Sequence, residues 1–245
     1  MSRWVPNQHG AWVMLAVPFL AGTLLGRPRW AHVPLLAAWL LGYLAVYHAQ
    51  QWLRLTRIGR NPRAPRRHVR PAVCCGVGAA AFGLPLAVGH PWLLWGAACA
   101  VPFLAVNFLY AYANRERALA NGLAAVVPAC AMALVTMRVG VGVGGSWSAG
   151  VAAAVACLLY FAGTVPYVKT MIRERGSRAY YRGSVAYHCA ALPLAAALSP
   201  WLAVPFAIFL VRAVVLPGRG VRVGVVGVGE VACAVGLLGV LVAAL

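Results

Sequence analysis

The chain has 245 residues, is 63% hydrophobic with a mean hydropathy of +0.81, and sets 21 Lys+Arg against 3 Asp+Glu, with no aspartate at all. A soluble globule is excluded, because the apolar surface exceeds any core that a chain of this size can bury. The net charge of +18 suggests nucleic acid in a soluble protein, but membrane topology and anionic headgroups account for it here, so a lipid bilayer is the expected partner and nucleic acid is not.

A bilayer core of about 30 Å takes roughly 20 apolar helical residues to cross, and its backbone must satisfy itself without water. Apolar runs broken by Arg, Pro and Gly predict an all-α, polytopic integral membrane bundle of about nine transmembrane helices, as one transmembrane domain over 1–245 with no soluble domain. The first covers 10–26; the polar, aromatic start from Trp4 to Gly10 and the missing A-x-A end argue for a retained helix over a cleaved signal peptide. The second, 32–53, closes on Tyr43, Tyr47, His48, Gln50 and Gln51, and the arginine-dense stretch 54–71 after it reads as a membrane-surface anchor. The third is 72–89. The fourth, 91–113, carries Asn107, Tyr110 and Tyr112 towards its end, with Asn114 just beyond, and the fifth, 119–137, opens on Asn121. The sixth, 148–170, ends in Thr164, Tyr167, Lys169 and Thr170, with Arg173 beyond, and the seventh, 185–199, begins with Tyr187 and His188. Only Ser199-Pro200 separates it from the eighth, 200–216, so the two form either a helical hairpin or one kinked segment. The ninth is 223–245. Internal prolines such as Pro18, Pro102 and Pro166 are tolerable in membrane helices.

Charge sets the expected orientation. With alternating spans, Arg27, Arg29 and Arg138 fall on one side and every other Lys or Arg on the opposite side. The positive-inside rule then places the N-terminus in the cytoplasm and the C-terminus outside. Twenty arginines against one lysine, among abundant Ala, Gly and Val, suggest a GC-rich bacterial genome and hence a plasma-membrane location.

Polar side chains in membrane helices are costly and tend to mark sites. Here they gather at the cytoplasmic ends, including Asn7, Gln8 and His9 on the first helix, which points to a polar cavity opening inward. The expected ligand-binding residues are Gln50, Gln51, Arg54, Asn107, Asn114, Asn121, Lys169, Arg173, Tyr187 and His188. An interfacial belt explains Tyr112, Trp52, Tyr180 and Tyr181 but not amides or His188. Amides that hold helices together are the competing reading. No histidine has a second at i+3 or i+4, and no C-x-x-C occurs, so neither metal nor cofactor is expected, and the seven cysteines read as small packing residues. Glycines at 140–145 and 220–239 follow no strand and read as helix-packing surfaces. Glu230, well inside the ninth helix, is expected to pair with Arg212, with a proton relay as the sharper alternative. Glu116 and Glu174 each sit between arginines, which suggests local ion pairs.

The run Val5-Pro6-Asn7-Gln8-His9-Gly10-Ala11-Trp12, continuing to Pro18-Phe19-Leu20, resembles the opening of the YwiC-like family of bacterial membrane proteins. Val165-Pro166-Tyr167-Val168-Lys169-Thr170, followed by Arg173-Glu174-Arg175 and Ser184-Val185-Ala186-Tyr187-His188, is similar to a second segment of that family. This resemblance implies topology more than activity. A more distant likeness is to the UbiA-type intramembrane prenyltransferases, which are similar in having nine helices, an inward N-terminus and long cytoplasmic connections after helices two, four and six. That family's Asp-rich motifs hold Mg²⁺ against a prenyl diphosphate. Here the corresponding places carry Gln50, Gln51, Arg54 and Arg57, then Lys169, Arg173, Glu174 and Arg175. Mg²⁺ wants carboxylate oxygens, so no metal site is carried over, whereas guanidinium groups meet phosphate directly. The leading expectation is therefore a cytoplasm-facing site for an anionic amphiphile, such as an isoprenoid or lipid phosphate, in a binding protein or a metal-independent transferase. A small-solute transporter and a non-catalytic assembly or scaffold subunit are the alternatives.

Overall fold

The computed structural model describes residues 4–6, 9–59, 61, 63–142 and 146–245, with His9 described in its backbone only. The expectations for Arg3, Asn7, Gln8, the His9 side chain, Arg60 and 143–145 lie outside the described residues. Those residues form nine α-helices and no strand: α1 (His9–Leu25), α2 (His32–Ile58), α3 (Arg63–Gly89), α4 (Trp92–Tyr112), α5 (Leu119–Val141), α6 (Ser148–Ile172), α7 (Arg178–Leu198), α8 (Ala203–Val215) and α9 (Val223–Ala244), with a 3-10 turn at Pro200–Leu202 before α8. Six of them, α2 to α6 and α9, are long and apolar enough to cross a membrane. The fold is a helical membrane bundle.

The helices overrun the expected spans at their basic ends. In place of a loop over 54–71, α2 continues to Ile58 and α3 begins at Arg63. At 1.5 Å per residue each is about 40 Å long, so its arginine-bearing turns extend past a bilayer core of about 30 Å. Outside hydrocarbon a helix needs no apolar side chains, which is why a hydropathy reading stops it early. Gly59 ends α2 in the left-handed conformation (φ 67°), its N–H donating to Leu55 O, and a residue with a Cβ is strained there. In the same way α7 starts at Arg178 rather than 185, its first turn capped by the Ser177 hydroxyl, which accepts from Tyr180 N–H. Ser199 is extended (φ −160°, ψ 132°) between α7 and the 3-10 turn. The 185–216 region is therefore two helices packed on one another, the hairpin of the two expected arrangements.

Two compact units make up the chain. One comprises residues 1–7 and 28–128, the other 8–27 and 129–245, with α5 changing over at Pro128. In the first, α2 and α3 form a helical hairpin against which α4 packs. In the second, α6 is the central helix, touching α1, α7 and α9. It buries Ala153, Ala156, Cys157, Tyr160, Phe161 and Tyr167. Small residues allow that enclosure. Gly163 faces Tyr187 and His188 of α7, and Gly22 of α1, with Gly26 just past its end, brings that helix against the backbone of α5 at Ala133 and Met137.

Candidate functional site

The expected ligand-binding residues divide between the units. In the first, the end of α2 meets the α4–α5 connection. Arg54 donates from Nε to Asn114 Oδ1 (2.7 Å), pairs through Nη1 with Glu116 Oε2 (3.2 Å), and lies 3.4 Å from Gln51 Oε1. Gln51 in turn donates to Glu116 Oε1 (3.2 Å). Asn114 adopts φ 54°, a left-handed conformation that asparagine tolerates better than most residues. Three of the expected residues, Gln51, Arg54 and Asn114, are thus joined in one group, while the half-buried Gln50 is not part of it. Glu116 is a correction: the partner the structure gives it is Arg54 on another helix, not a flanking arginine. The connection turns back so that its carboxylate faces α2.

Asn107 and Asn121 are also joined, but to each other. Asn107 Nδ2 donates to Asn121 Oδ1 (2.8 Å) and O (3.1 Å), and Asn121 Nδ2 donates to Glu116 O (2.7 Å). Their hydrogen-bonding is spent tying α4 to the start of α5. The same unit holds a pair that sequence reading missed. His48, only 2% exposed, lies 2.9 Å through Nδ1 from His68 Nδ1 of α3, and its Nε2 lies 2.9 Å from Trp4 O. A carbonyl only accepts, so His48 Nε2 carries hydrogen; a neutral His48 then accepts at Nδ1 from His68. The partners are 20 positions apart, and only the register of the α2–α3 hairpin brings them together.

In the second unit Lys169 and Arg173 stand at the end of α6. Lys169 Nζ lies 5.9 Å from the Tyr180 ring centroid, and Arg173 N–H closes the helix on Lys169 O. Arg175, which the site reading left out, ties two connections together by donating from Nε to Met171 O and from Nη2 to Val221 O (2.9 Å). Beside it is a pocket of about 340 Å³ lined by Met171, Arg175, Gly176, Gly218, Gly220 and Val221. Gly176 and Gly218 hold φ of 83° and 88°, positions where side chains are strained and where backbone comes close to whatever enters. Tyr187 and His188 face α6 lower down. Tyr187 donates to Leu159 O (3.0 Å), His188 Nδ1 donates to Ser184 O (2.7 Å), and both rings contact Gly163, about 9 Å along the axis from Lys169. They belong to the α6–α7 packing rather than to the Lys169 end.

Deeper still, Arg212 and Glu230, each 8% exposed, form the expected ion pair through Nη1 and Oε1. Tyr160 OH lies 3.0 Å from Glu230 O and 3.3 Å from its Oε2, and Thr164 Oγ1 lies 3.1 Å from both Oε2 and Tyr160 O. The Arg212 guanidinium lies 4.2 Å from the Tyr167 ring centroid, 5.4 Å from that of Phe209 and 5.9 Å from that of Tyr160. Among the described residues no three His, Cys, Asp or Glu side chains converge as metal ligands.

Comparison with known proteins adds relatives to this geometry. The family model described as "YwiC-like protein" matches residues 5–137. "Uncharacterized protein YwiC" of Bacillus subtilis (strain 168) is 32% identical over 234 residues, 94% of this chain and 93% of its own length. An "Uncharacterized protein" of Haemophilus influenzae (strain ATCC 51907 / DSM 11121 / KW20 / Rd) is 34% identical over 241 residues, 95% and 94% of the two chains. No solved structure matches.

Proposed function

The chain belongs to the YwiC-like family, and from that premise we propose that it is a multi-pass plasma-membrane protein, N-terminus cytoplasmic, whose basic end binds the phosphate headgroup of an anionic amphiphile such as an isoprenoid phosphate or a phospholipid. The observation that carries this reading is the fate of the acids. Three carboxylate side chains face 21 cations, and two of the three are engaged within the protein, Glu230 by Arg212 and Glu116 by Arg54. The positive charge of the α2–α3 ends, the α6–α7 connection and the α8–α9 connection therefore has to be answered from outside the chain. Phosphate suits that surface, since guanidinium meets two of its oxygens at once.

Within this reading the pocket beside Arg175 receives the headgroup. Arg175 lines it, Lys169 and Arg173 stand two positions to either side of Met171 at the end of α6 without lining it, and Arg219 lies between two of its glycines. Gln51, Arg54 and Asn114 form a second basic group in the other unit. Residues that hydrogen-bond within the protein, Asn107, Asn121, Tyr187 and His188, hold the helices that carry the two groups.

Calorimetric titration of the purified protein in a phosphate-free detergent with dioctanoyl phosphatidic acid tests the reading, with dioctanoyl phosphatidylcholine as the control. The Lys169→Ala/Arg173→Ala variant is expected to bind phosphatidic acid about 10-fold more weakly or worse, because two charge-assisted contacts are lost. Unchanged affinity in that variant, or equal binding of both lipids, sinks it.

A further inference from the structure

Arg212 is the most deeply buried cation described, and its bonding is incomplete. Nη1 meets Glu230, whereas Nε and Nη2 are buried with no hydrogen-bond partner. Those two atoms form the side edge of the guanidinium, where two parallel N–H groups match the two oxygens of one carboxylate or phosphate. Buried donors are rarely left unmet, so this edge requires an explanation.

Its surroundings narrow the choice. The rings of Tyr167, Phe209 and Tyr160 surround the cation, and ring faces do not replace an oxygen acceptor at the edge. The Cys233 thiol, one turn along α9 from Glu230, and the Tyr160 hydroxyl also stand within interaction range of the guanidinium, but a thiol is a weak acceptor and neither group brings a second charged oxygen. Glu230 Oε2 faces the hydroxyls of Tyr160 and Thr164 rather than the Nε–Nη2 edge. One apolar layer separates the edge from the pocket at the basic end. The buried layer of Tyr167, Met171, Ala213 and Val226, with Val221 packed on it, lies next to Arg212, and Met171 and Val221 also line the pocket at the basic end. Along the second unit the order is basic pocket, apolar layer, buried fork.

We propose that the Nε–Nη2 edge of Arg212 is an intramembrane oxyanion site, filled by one phosphate or carboxylate group admitted from the pocket past Met171 and Val221. Glu230 is the internal carboxylate that holds the guanidinium in place and competes for its charge. This goes beyond headgroup binding at the basic end: it assigns a second, deeper site that does not use Lys169 or Arg173.

The test is the thermal midpoint of the full chain in phosphate-free detergent against rising sodium phosphate, with sodium chloride matched for ionic strength. A parallel arm uses dioctanoyl phosphatidic acid against dioctanoyl phosphatidylcholine. The wild-type midpoint is expected to rise with phosphate, with phosphatidic acid, or with both; the first alone identifies a free anion and the second alone a headgroup. Arg212→Lys keeps the charge but not the fork, and is expected to weaken the response at least ~10-fold in concentration. Glu230→Gln removes the competing charge and is expected to shift the response to lower concentration. Lys169→Ala/Arg173→Ala retains the Arg212-dependent rise even where calorimetry shows headgroup binding lost, which separates this site from the pocket. No rise in either arm overturns the site, as does a response in Arg212→Lys equal to wild type. If Arg212→Lys does not fold, Glu230→Gln decides: tighter response supports the site, and unchanged or weaker response overturns it.

Discussion

Replacing Arg212 with methionine is expected to destabilise the protein by about 3–5 kcal/mol, because it leaves Glu230 as a buried carboxylate without its cation. Its remaining donors, the hydroxyls of Tyr160 and Thr164, are neutral and cannot replace a guanidinium. The loss is expected as a lower thermal midpoint and a broadened size-exclusion profile in detergent. The Arg212→Met/Glu230→Leu double variant is expected to recover most of the stability, since a buried pair exchanged for apolar groups of similar volume is often neutral or better. It is also expected to lose the phosphate response described above. Stability and binding thus separate in one pair of variants. A single Arg212→Met variant as stable as wild type would show that the pair is not closed off from water.

Gly22→Ala and Gly140→Ala should show the next largest effect. A Cβ on Gly22 stands 2.0 Å from Ala133 O and 2.2 Å from Thr136 Oγ1, and one on Gly140 stands 2.1 Å from Gly26 O. The closest of these, Ala133 O and Gly26 O, are backbone oxygens that cannot rotate aside, so one added methyl group forces the two segments apart; overpacking of that kind costs about 1–3 kcal/mol. The control lies in the same chain. Gly42 and Gly236 are helical with open space where a Cβ would go, and Ala there is expected to be neutral or stabilising by up to about 1 kcal/mol. Equal thermal midpoints for Gly22→Ala and Gly42→Ala would contradict the close α1–α5 packing.

The helices were legible in the sequence because the bilayer imposes a length and a polarity on each. Their ends at the basic side were less so. Ile58, Arg63 and Arg178 lie beyond the apolar runs, where water and headgroups permit helix without hydrophobicity. The Arg212–Glu230 pair was legible because a membrane leaves a lone acid few partners. The pairing of His48 with His68, and of Glu116 with Arg54, was not. Both depend on which faces two helices turn to one another, and composition within one helix does not carry that register. The amides show the same limit from the other side. Residue type left Asn107 and Asn121 open between cavity lining and helix contact; their hydrogen bonds join α4 to the start of α5. Arg175 stands in the sequence beside Arg173 but outside the expected ligand-binding set; its bonds to Met171 O and Val221 O, which no local pattern carries, make it part of the pocket lining.

The most direct measurement of the central claim is native mass spectrometry of the protein in mild detergent, followed by release and identification of whatever small molecule stays bound. A retained isoprenoid or acyl chain carrying a phosphate, and its loss from the Lys169→Ala/Arg173→Ala variant, is the expected result. Protein that remains empty after incubation with phosphatidic acid and prenyl diphosphates would contradict it.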